Sequence, residues 1–287
     1  MPRTRQPKPA PRPVEGISDA LCDAIRVLNL RDLDQEWLAA QFTQAATDQP
    51  AYSELFERIL GHAAAKKRAR CIERRIDDSG LKTRKTLEAF DWNFQPKLDP
   101  AAIKQLATLS FVQRAEDLIL TGKTGTGKSH ILKALALRAC KDEYRVRYVR
   151  CVDLIAHLYA GLADNTYERR LKSWCRPELL VIDDVGLGQL KRTDDEPTAA
   201  HMLFNLIDQR HHCASTAISS NIKLSAWGKY LGDATLAAAI LDRLAETAIR
   251  IDIDGPSYRQ HLAKTRAAAS RRDSSQTTNT KQQGDKT

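Results

Sequence analysis

The sequence lacks a long hydrophobic run. No stretch approaches the roughly 18 consecutive apolar residues that a membrane-spanning helix requires. The N-terminus also has no apolar core of the kind that a secretory signal peptide carries. Together these absences predict a cytoplasmic protein that has no membrane partner.

Paired cysteines are missing as well. Six cysteines are scattered along the chain and none forms a Cys-x-x-Cys pair, which argues against a disulfide framework and against a zinc finger. The triplet His211-His212-Cys213 contains metal-ligand types, but without further ligands at suitable spacing the polar end of a helix is the favoured interpretation.

Acidic residues are fewer than basic ones. The chain has 45 Lys and Arg against 36 Asp and Glu, a formal net charge of +9. Such an excess favours a polyanionic partner, most simply DNA or RNA. Residues 1–15 are rich in proline and basic residues and predict a disordered basic arm, and residues 266–287 predict a disordered basic tail.

One segment has the composition of a phosphate-binding loop. Residues 122–129, GKTGTGKS, fit the P-loop pattern, follow a short apolar run and precede apolar residues at helical spacing. Glycines let backbone N–H groups point at an anion, Lys128 can reach the β- and γ-phosphates, and the Ser129 hydroxyl can hold Mg²⁺. A glycine-rich turn that binds nothing is the alternative, and the ordered set of strand, loop, lysine, hydroxyl and helix disfavours it. We therefore predict ATP and Mg²⁺ as cofactors.

The predicted nucleotide-binding residues of this loop are Gly122, Lys123, Thr124, Gly125, Thr126, Gly127, Lys128, Ser129 and His130.

A second segment, with two acidic residues at its end, suits the same ATP and Mg²⁺ site. In residues 179–184, LLVIDD, four apolar residues predict a buried strand that ends in two carboxylates. Ligands of open α/β sheets bind beyond the carboxyl ends of the strands. Asp183 then holds Mg²⁺ with Ser129, and Asp184 orients the attacking water. A strand that ends in Asp merely to start a turn is the alternative, which the upstream P-loop makes less attractive.

Two further polar residues have open interpretations. Asn221 ends segment 214–221, which is predicted to be a buried strand with polar residues at its end. If this strand lies between the strand before the P-loop and the strand that ends in Asp183, Asn221 can touch the γ-phosphate. Otherwise it is a turn-forming residue. Arg243 lies on an otherwise apolar helix beside Asp242. It is either a surface ion pair or an arginine finger that reaches a neighbouring subunit's phosphate.

Basic residues concentrate near a long helix predicted at 52–78. Lys67, Arg70 and Arg74 recur at helical spacing, and the one-sided charge favours contact with the DNA phosphate backbone over a merely solvated face. The predicted DNA-contact residues are Lys67, Arg70, Arg74, Lys82, Arg84 and Lys85.

From residue 117 onward, predicted strands and helices alternate. Strands are expected at 117–121, 146–150, 179–183, 215–219 and 248–253. This alternation predicts an α/β fold, a parallel five-stranded sheet flanked by helices. We expect this domain to span residues 87–265 and a small, basic helical domain to span 16–86. Phe90, Trp92 and Phe94 alternate in the connecting segment 87–98, which predicts a strand or an extended strap that packs on the next domain. Stacking of these aromatic rings on nucleobases is the less favoured alternative.

With these residues in place, the chain resembles the IstB-like branch of the AAA+ P-loop ATPases, which are similar to DnaC helicase loaders. The similarity runs from about Tyr52 to Leu262. The stretches that carry it are KTLEAFDWNFQPKLD (85–99), GKTGTGKSH (122–130), LLVIDDVG (179–186), SSN (219–221), WGKYLGDATLAAAILDRL (227–244) and GPSYR (255–259).

The resemblance implies roles for three residues. Asn221 corresponds to the residue that senses the γ-phosphate, Arg243 to the arginine finger acting in trans, and Arg259 to a second sensor that contacts the γ-phosphate in cis. Many relatives have Glu where this chain has Asp184, so the shorter carboxylate implies slow hydrolysis.

The resemblance also implies partners. It predicts a ring or spiral homo-oligomer on double-stranded DNA, without sequence preference, that assists an IstA-like transposase. A DnaC-like helicase loader is the runner-up. A nucleotide-gated scaffold that barely hydrolyses ATP is a third interpretation.

Overall fold

The computed structural model describes residues 17–190 and 198–265. The chain divides into two compact units, Met1–Arg74 and Arg75–Thr287. This division falls earlier in the chain than the boundary expected between residues 86 and 87. The predicted arm at 1–15 and tail at 266–287 lie outside the described residues.

The first unit is helical. It contains α1 (Asp19–Val27), α2 (Gln35–Asp48) and the first part of α3 (Tyr52–Asp78). Side chains at the helix starts cap α1 and α2, where Ser18 accepts from the N–H of Leu21 and Asp34 from that of Glu36. A small core holds the helices together and consists of Ile17, Leu33, Leu38, Ile59 and Ala63.

The second unit contains five strands and the remaining helices. The strands are β1 (Leu118–Gly122), β2 (Val146–Arg150), β3 (Leu179–Val185), β4 (Ser215–Ser220) and β5 (Ile249–Ile253). The helices are α4 (Pro100–Leu106), α5 (Ser110–Gln113), α6 (Lys128–Lys141), α7 (Cys151–Ala163), α8 (Tyr167–Cys175), α9 (Ala199–Arg210), α10 (Trp227–Leu231) and α11 (Ala234–Thr247). Residues 258–265 are also helical.

The five strands form one parallel sheet in the order β2-β3-β4-β1-β5. Residues 179–183 of β3 are all buried, as expected for a central strand covered by helices on both faces. The sheet confirms the predicted P-loop α/β fold, and each predicted strand lies within one or two residues of its observed bounds. Because β4 lies between β3 and β1, the chain after β4 emerges between the phosphate loop and Asp183.

Hydrophobic packing fixes helices against this sheet. Ile119, Leu180, Ile182 and Ile218 share one core cluster with apolar residues of α7, α9 and α11. Burial of these apolar residues stabilises the strands, and it thereby fixes the polar residues that follow at the carboxyl edge of the sheet.

A buried arginine joins α9 to the start of β4. Arg210 is only 1% exposed. Its guanidinium donates to the carbonyls of Trp174, Cys175, Pro177 and Ser215 and to the hydroxyl of Thr216, at 2.5–3.2 Å. Burial lowers its pKa to about 10, which still leaves it charged at neutral pH. Among these acceptors, the carbonyls of Trp174 and Cys175 lie in the last turn of α8, where a helix offers them no donor of its own.

Replacing this arginine tests its structural role. We expect Arg210→Met to lower the free energy of unfolding by about 3 kcal/mol or more, because several buried carbonyls lose their donor. Urea unfolding followed by tryptophan fluorescence measures the loss. Arg138→Met is the control: it removes an exposed ion pair with Asp142 and should cost less than about 1 kcal/mol. Similar losses in the two variants would contradict the role of Arg210.

Candidate nucleotide-binding site

The phosphate loop connects β1 to α6 as the sequence predicts. β1 ends at Gly122, and α6 begins at Lys128 after Gly127. Gly127 has φ 104°, and a Cβ there would lie 2.6 Å from the ring of Phe90. Both the backbone conformation and the close ring require glycine at this position. The loop therefore places the N-terminus of a long helix, with its free N–H groups, at the carboxyl edge of the sheet.

Lys128 lies under the loop. It is 3% exposed, and its Nζ donates to the carbonyls of Gly122 at 2.7 Å and Lys123 at 2.8 Å. Burial lowers its pKa to about 8, against the opposing effect of Asp184 and Asp183. A buried ammonium of this kind interacts strongly with an anion, because burial reduces the screening of its charge by solvent.

The Asp183 carboxylate accepts hydrogen bonds from hydroxyl groups on three secondary-structure elements. Ser129 Oγ donates to its Oδ1 at 3.0 Å, and the hydroxyls of Ser219 and Tyr148 also donate to Asp183. The donor set is oxygen only, which fits a hard cation such as Mg²⁺. Ser129 and Asp183, the predicted metal residues, are adjacent and are the groups that would hold it.

Asp184 and Asn221 also meet at this edge. Asp184 has φ 61°, in the left-handed region, where its N–H donates to Ser219 Oγ at 2.9 Å. The Nδ2 of Asn221 donates to Asp184 Oδ1 at 3.0 Å, and Thr124 Oγ1 lies 3.5 Å from Asn221 Oδ1. A non-glycine residue in this conformation costs free energy and is found disproportionately at functional sites. Asn221 thus connects the second carboxylate to the phosphate loop.

A cavity of about 380 Å³ opens beside these groups. Lys128, Ser129, Asp184, Asn221 and Arg259 contribute to its wall together with aromatic residues. The structure therefore brings Arg259 of the GPSYR segment to the phosphate loop. Its charge further lowers the pKa of Lys128.

Lys85 also lines this cavity. The sequence grouped it with the DNA-contact residues, because its neighbours 82 and 84 are basic as well. In the structure its positive charge faces the nucleotide site and contributes to the lowered pKa of His130. The structure therefore places Lys85 at the cavity, and its contact with DNA stays a prediction.

Segment 87–98 is built of turns and contains no strand. Phe90 is buried and its ring meets the ring of His130 edge-on, with 5.3 Å between centroids. Phe94 packs edge-on against Tyr258 at 5.1 Å, and Gln95 Nε2 donates to the carbonyl of Pro256. The expected packing of this segment is therefore present, but its turns make it neither a strand nor an extended strap. The segment forms one wall of the cavity.

Arg243 is engaged in an intramolecular ion pair. Its guanidinium donates to Asp208 Oδ1 from Nε at 2.8 Å and from Nη2 at 2.7 Å, and it lies 4.4 Å from the ring centroid of Phe204. The acidic partner is on α9 and is not the neighbouring Asp242. The structure thus places Arg243 where α9 and α11 pack together.

The basic residues of α3 lie in the first unit up to Arg74. Lys67, Arg70 and Arg74 are exposed, and Arg70 forms an ion pair with Asp32 at 3.0 Å. Lys82 and Arg84, in the second unit, are exposed as well.

The histidines after α9 meet a carboxylate. Nε2 of His211 and of His212 lie 3.2 and 3.4 Å from the two oxygens of Glu246. Nδ1 of His211 is buried without a partner among the described residues. A metal on Nε2 would move the proton to this nitrogen, where nothing accepts it. Hydrogen bonds from Nε2–H to Glu246 explain the cluster without a metal.

Sequence reasoning missed two residues around Asp183. Tyr148 and Ser219 donate to its carboxylate. Ser219 lies in the SSN stretch, but neither residue was assigned a role at the site. The available signal is their place at or near the carboxyl ends of β2 and β4, the strands that flank β3.

Comparison with known proteins identifies relatives over most of the chain. A family model described as IstB-like ATP binding protein matches residues 24–267. The ATP-binding protein of insertion sequence IS5376 of Geobacillus stearothermophilus is 34% identical over 232 residues, 81% of this chain and 90% of that protein. The ATP-binding protein of insertion sequence IS21 of Pseudomonas aeruginosa is 35% identical over 216 residues, 75% and 80% of the two chains.

A solved structure of a DnaC helicase loader is also similar. It has a TM-score of 0.45 and 21% identity, covering 62% of this chain and 98% of that one. Separately, among the described residues no helix combines the length and the apolar character needed to cross a bilayer.

The lowered pKa of Lys128 predicts a pH-dependent affinity for ATP. Bound phosphates favour the charged ammonium and raise its pKa, so binding takes up a proton once the pH exceeds about 8. We expect affinity to fall above that pH by up to about tenfold per pH unit. Calorimetry from about pH 7.5 to 9.5 measures this slope. Lys128→Arg stays charged throughout, so it should show a weaker slope; equal slopes would contradict the assignment.

Proposed function

The chain belongs to the family of IstB-like ATP binding proteins, P-loop ATPases of the AAA+ type, and we propose that it is the ATP-dependent, DNA-binding helper of a transposase. The single observation that carries this proposal is the convergence of Lys128, Ser129, Asp183, Asp184 and Asn221 at one edge of the sheet. The insertion-sequence names of its relatives support an IstA-like transposase as partner.

Each polar group has a role in hydrolysis. Lys128 contacts the β- and γ-phosphates, and Ser129 and Asp183 hold the metal. Mg²⁺, when bound, neutralises charge on the phosphate oxygens. Asp184 orients the attacking water, and Asn221 holds that carboxylate through its 3.0 Å hydrogen bond. Arg259, in the cavity wall, supplies positive charge in cis. Because Asp184 is a short carboxylate, we expect slow hydrolysis that DNA or the partner stimulates.

Arg243 completes the site of the next subunit. Arginine fingers act on the γ-phosphate of a neighbouring protomer. Arg243 lies on α11, and its side chain is 31% exposed beside Asp208. Assembly into a ring or spiral exchanges this ion pair for one with phosphate. ATP therefore stabilises the oligomer, and hydrolysis removes the contact and loosens it.

Double-stranded DNA is the proposed polyanion. Exposed basic residues of α3, Lys67, Arg70 and Arg74, contact phosphates without reading bases. The formal net charge of +9 supports this partner. We place the protein in the cytoplasm, where it meets DNA and the transposase.

A mixing experiment tests the shared active site. Arg243→Ala should lose about 10³-fold or more in hydrolysis because the finger is missing, while keeping its affinity for ATP. Asp184→Asn should lose hydrolysis because its carboxylate is gone. In a mixture, an Arg243→Ala subunit keeps Asp184 in its own pocket, and a neighbouring Asp184→Asn subunit can supply Arg243 to that pocket. Such a shared site is complete, so ATPase assays should show partial recovery.

The control mixes Arg243→Ala with the double variant Arg243→Ala/Asp184→Asn, which offers no finger. Recovery in this control, or none in the first mixture at concentrations where both variants assemble, would contradict a finger supplied in trans.

Salt titration tests the DNA surface. Neutralising Lys67, Arg70 and Arg74 to Gln should reduce the slope of log affinity against log salt by about 0.9 for each DNA phosphate that these side chains no longer neutralise. Fluorescence anisotropy with a labelled duplex measures it. The control neutralises three exposed, ion-paired arginines of the second unit, Arg114, Arg138 and Arg145. An unchanged slope, or an equal reduction in the control, would argue against this surface.

A further inference from the structure

A tyrosine hydroxyl lies against the metal carboxylate. Tyr148 is in β2, where it pairs with Val181 of β3. Its hydroxyl reaches toward the carboxyl end of β3 and donates to Asp183 Oδ2. Neither the phosphate-loop pattern nor the acidic strand that follows predicts this contact.

The other oxygen of Asp183 has different donors. Oδ1 accepts from Ser129 Oγ at 3.0 Å and from the hydroxyl of Ser219. Ser219 Oγ is itself fixed, because it accepts the N–H of Asp184 at 2.9 Å. A rotation of the carboxylate that exchanged its two oxygens would therefore break bonds on both sides. Tyr148 supplies the anchor on Oδ2, and it is not among the residues that line the nucleotide cavity.

Tyr148 is itself held in place. Its backbone N–H donates to the carbonyl of Ser79 at 2.7 Å, and Lys133 Nζ lies 5.4 Å from its ring centroid. An ordinary phenol keeps its proton at neutral pH, so this hydroxyl is a hydrogen-bond donor.

We propose that Tyr148 is a positioning residue for the magnesium site. Its hydroxyl fixes Oδ2 of Asp183 and so keeps Oδ1 turned toward Ser129, the other residue that would hold the metal. This inference rests on the proposed ATPase site. It adds that the geometry of this site is set from β2 as well as from the phosphate loop and β4.

Metal binding to the nucleotide complex tests the proposal without measuring turnover. Mn²⁺ replaces Mg²⁺, ADP is present in excess, and electron paramagnetic resonance follows free Mn²⁺. Tyr148→Phe deletes one oxygen and should weaken Mn²⁺ affinity by about tenfold, the size expected for losing a hydrogen bond to a charged group. Binding of a fluorescent adenine nucleotide in EDTA should stay unchanged, because Tyr148 is not among the residues that line the nucleotide cavity.

Two further variants separate positioning from packing. Tyr159→Phe removes the hydroxyl of another partly buried tyrosine, on α7, which packs against the main core; it should bind Mn²⁺ like the wild type. Tyr148→p-aminophenylalanine retains an N–H donor at the same place and should recover part of the affinity that Tyr148→Phe loses. Thermal melting of each variant checks that the fold is intact.

Several results would overturn the proposal. Unchanged Mn²⁺ affinity in Tyr148→Phe would show that the ring only fills space. Tighter binding would show that the hydroxyl competes with the metal for the carboxylate. An equal loss in Tyr159→Phe, or no rescue by the amino variant, would show a nonspecific effect. If the wild type bound no Mn²⁺ with ADP, the ATPase assignment would fail first, and the two failures are thus distinguishable.

Discussion

The hydrogen bond from Ser129 to Asp183 joins the two halves of the nucleotide site. Ser129 lies in the first turn of α6, and Asp183 is a buried residue of β3. Because the strands are parallel, their carboxyl ends meet at the same edge, and β4 adds Ser219 and Asn221 between them. Burial of the apolar strand residues supplies the free energy that holds these polar groups together. The site therefore depends on the order of the sheet as much as on any single motif.

In the proposed oligomer, the same edge of the sheet links ATP hydrolysis in one subunit to its contact with the next. Asp184 lies in a left-handed conformation and is tied to Asn221, which neighbours Thr124 of the phosphate loop. Arg243 is paired with Asp208 within its own chain. In the proposed oligomer a neighbour's γ-phosphate competes with Asp208 for that guanidinium. The nucleotide state then sets the balance between the two ion pairs, a two-state element of the kind that a switch requires.

Much of this fold follows from local patterns in the sequence. The alternation of apolar runs and helical spacing predicted all five strands of the sheet, and the glycine and lysine spacing of residues 122–129 predicted the loop that connects β1 to α6. The sheet order confirms that β4, the strand before Asn221, lies between β3 and β1, and the role of Asn221 at the γ-phosphate stays a prediction. These features depend on residues close together in the chain, where periodicity and motif spacing are informative.

Contacts between distant segments were not predictable in the same way. Asp208 is 35 positions from Arg243, and Tyr148 meets Asp183 only because β2 pairs with β3. Lys85 has the sequence context of a basic run, yet the turns that follow bring it to the cavity. On α3, Ala65 and Ala69 are apolar and lie four positions apart, yet both are exposed, because alanine is small enough to be tolerated on either face of a helix. Helical spacing identifies a face, and tertiary packing decides whether it is covered.

In the proposed mechanism, ATP bound by the phosphate loop around Lys128 stabilises the contact between neighbouring subunits on DNA. Electron microscopy of the protein with duplex DNA and a non-hydrolysable ATP analogue tests it most directly. The account predicts rings or spirals on the duplex, with Arg243 of one subunit at the γ-phosphate of the next, and their loss when ADP replaces the analogue. Monomers with the analogue, or identical assemblies with ADP, would contradict it.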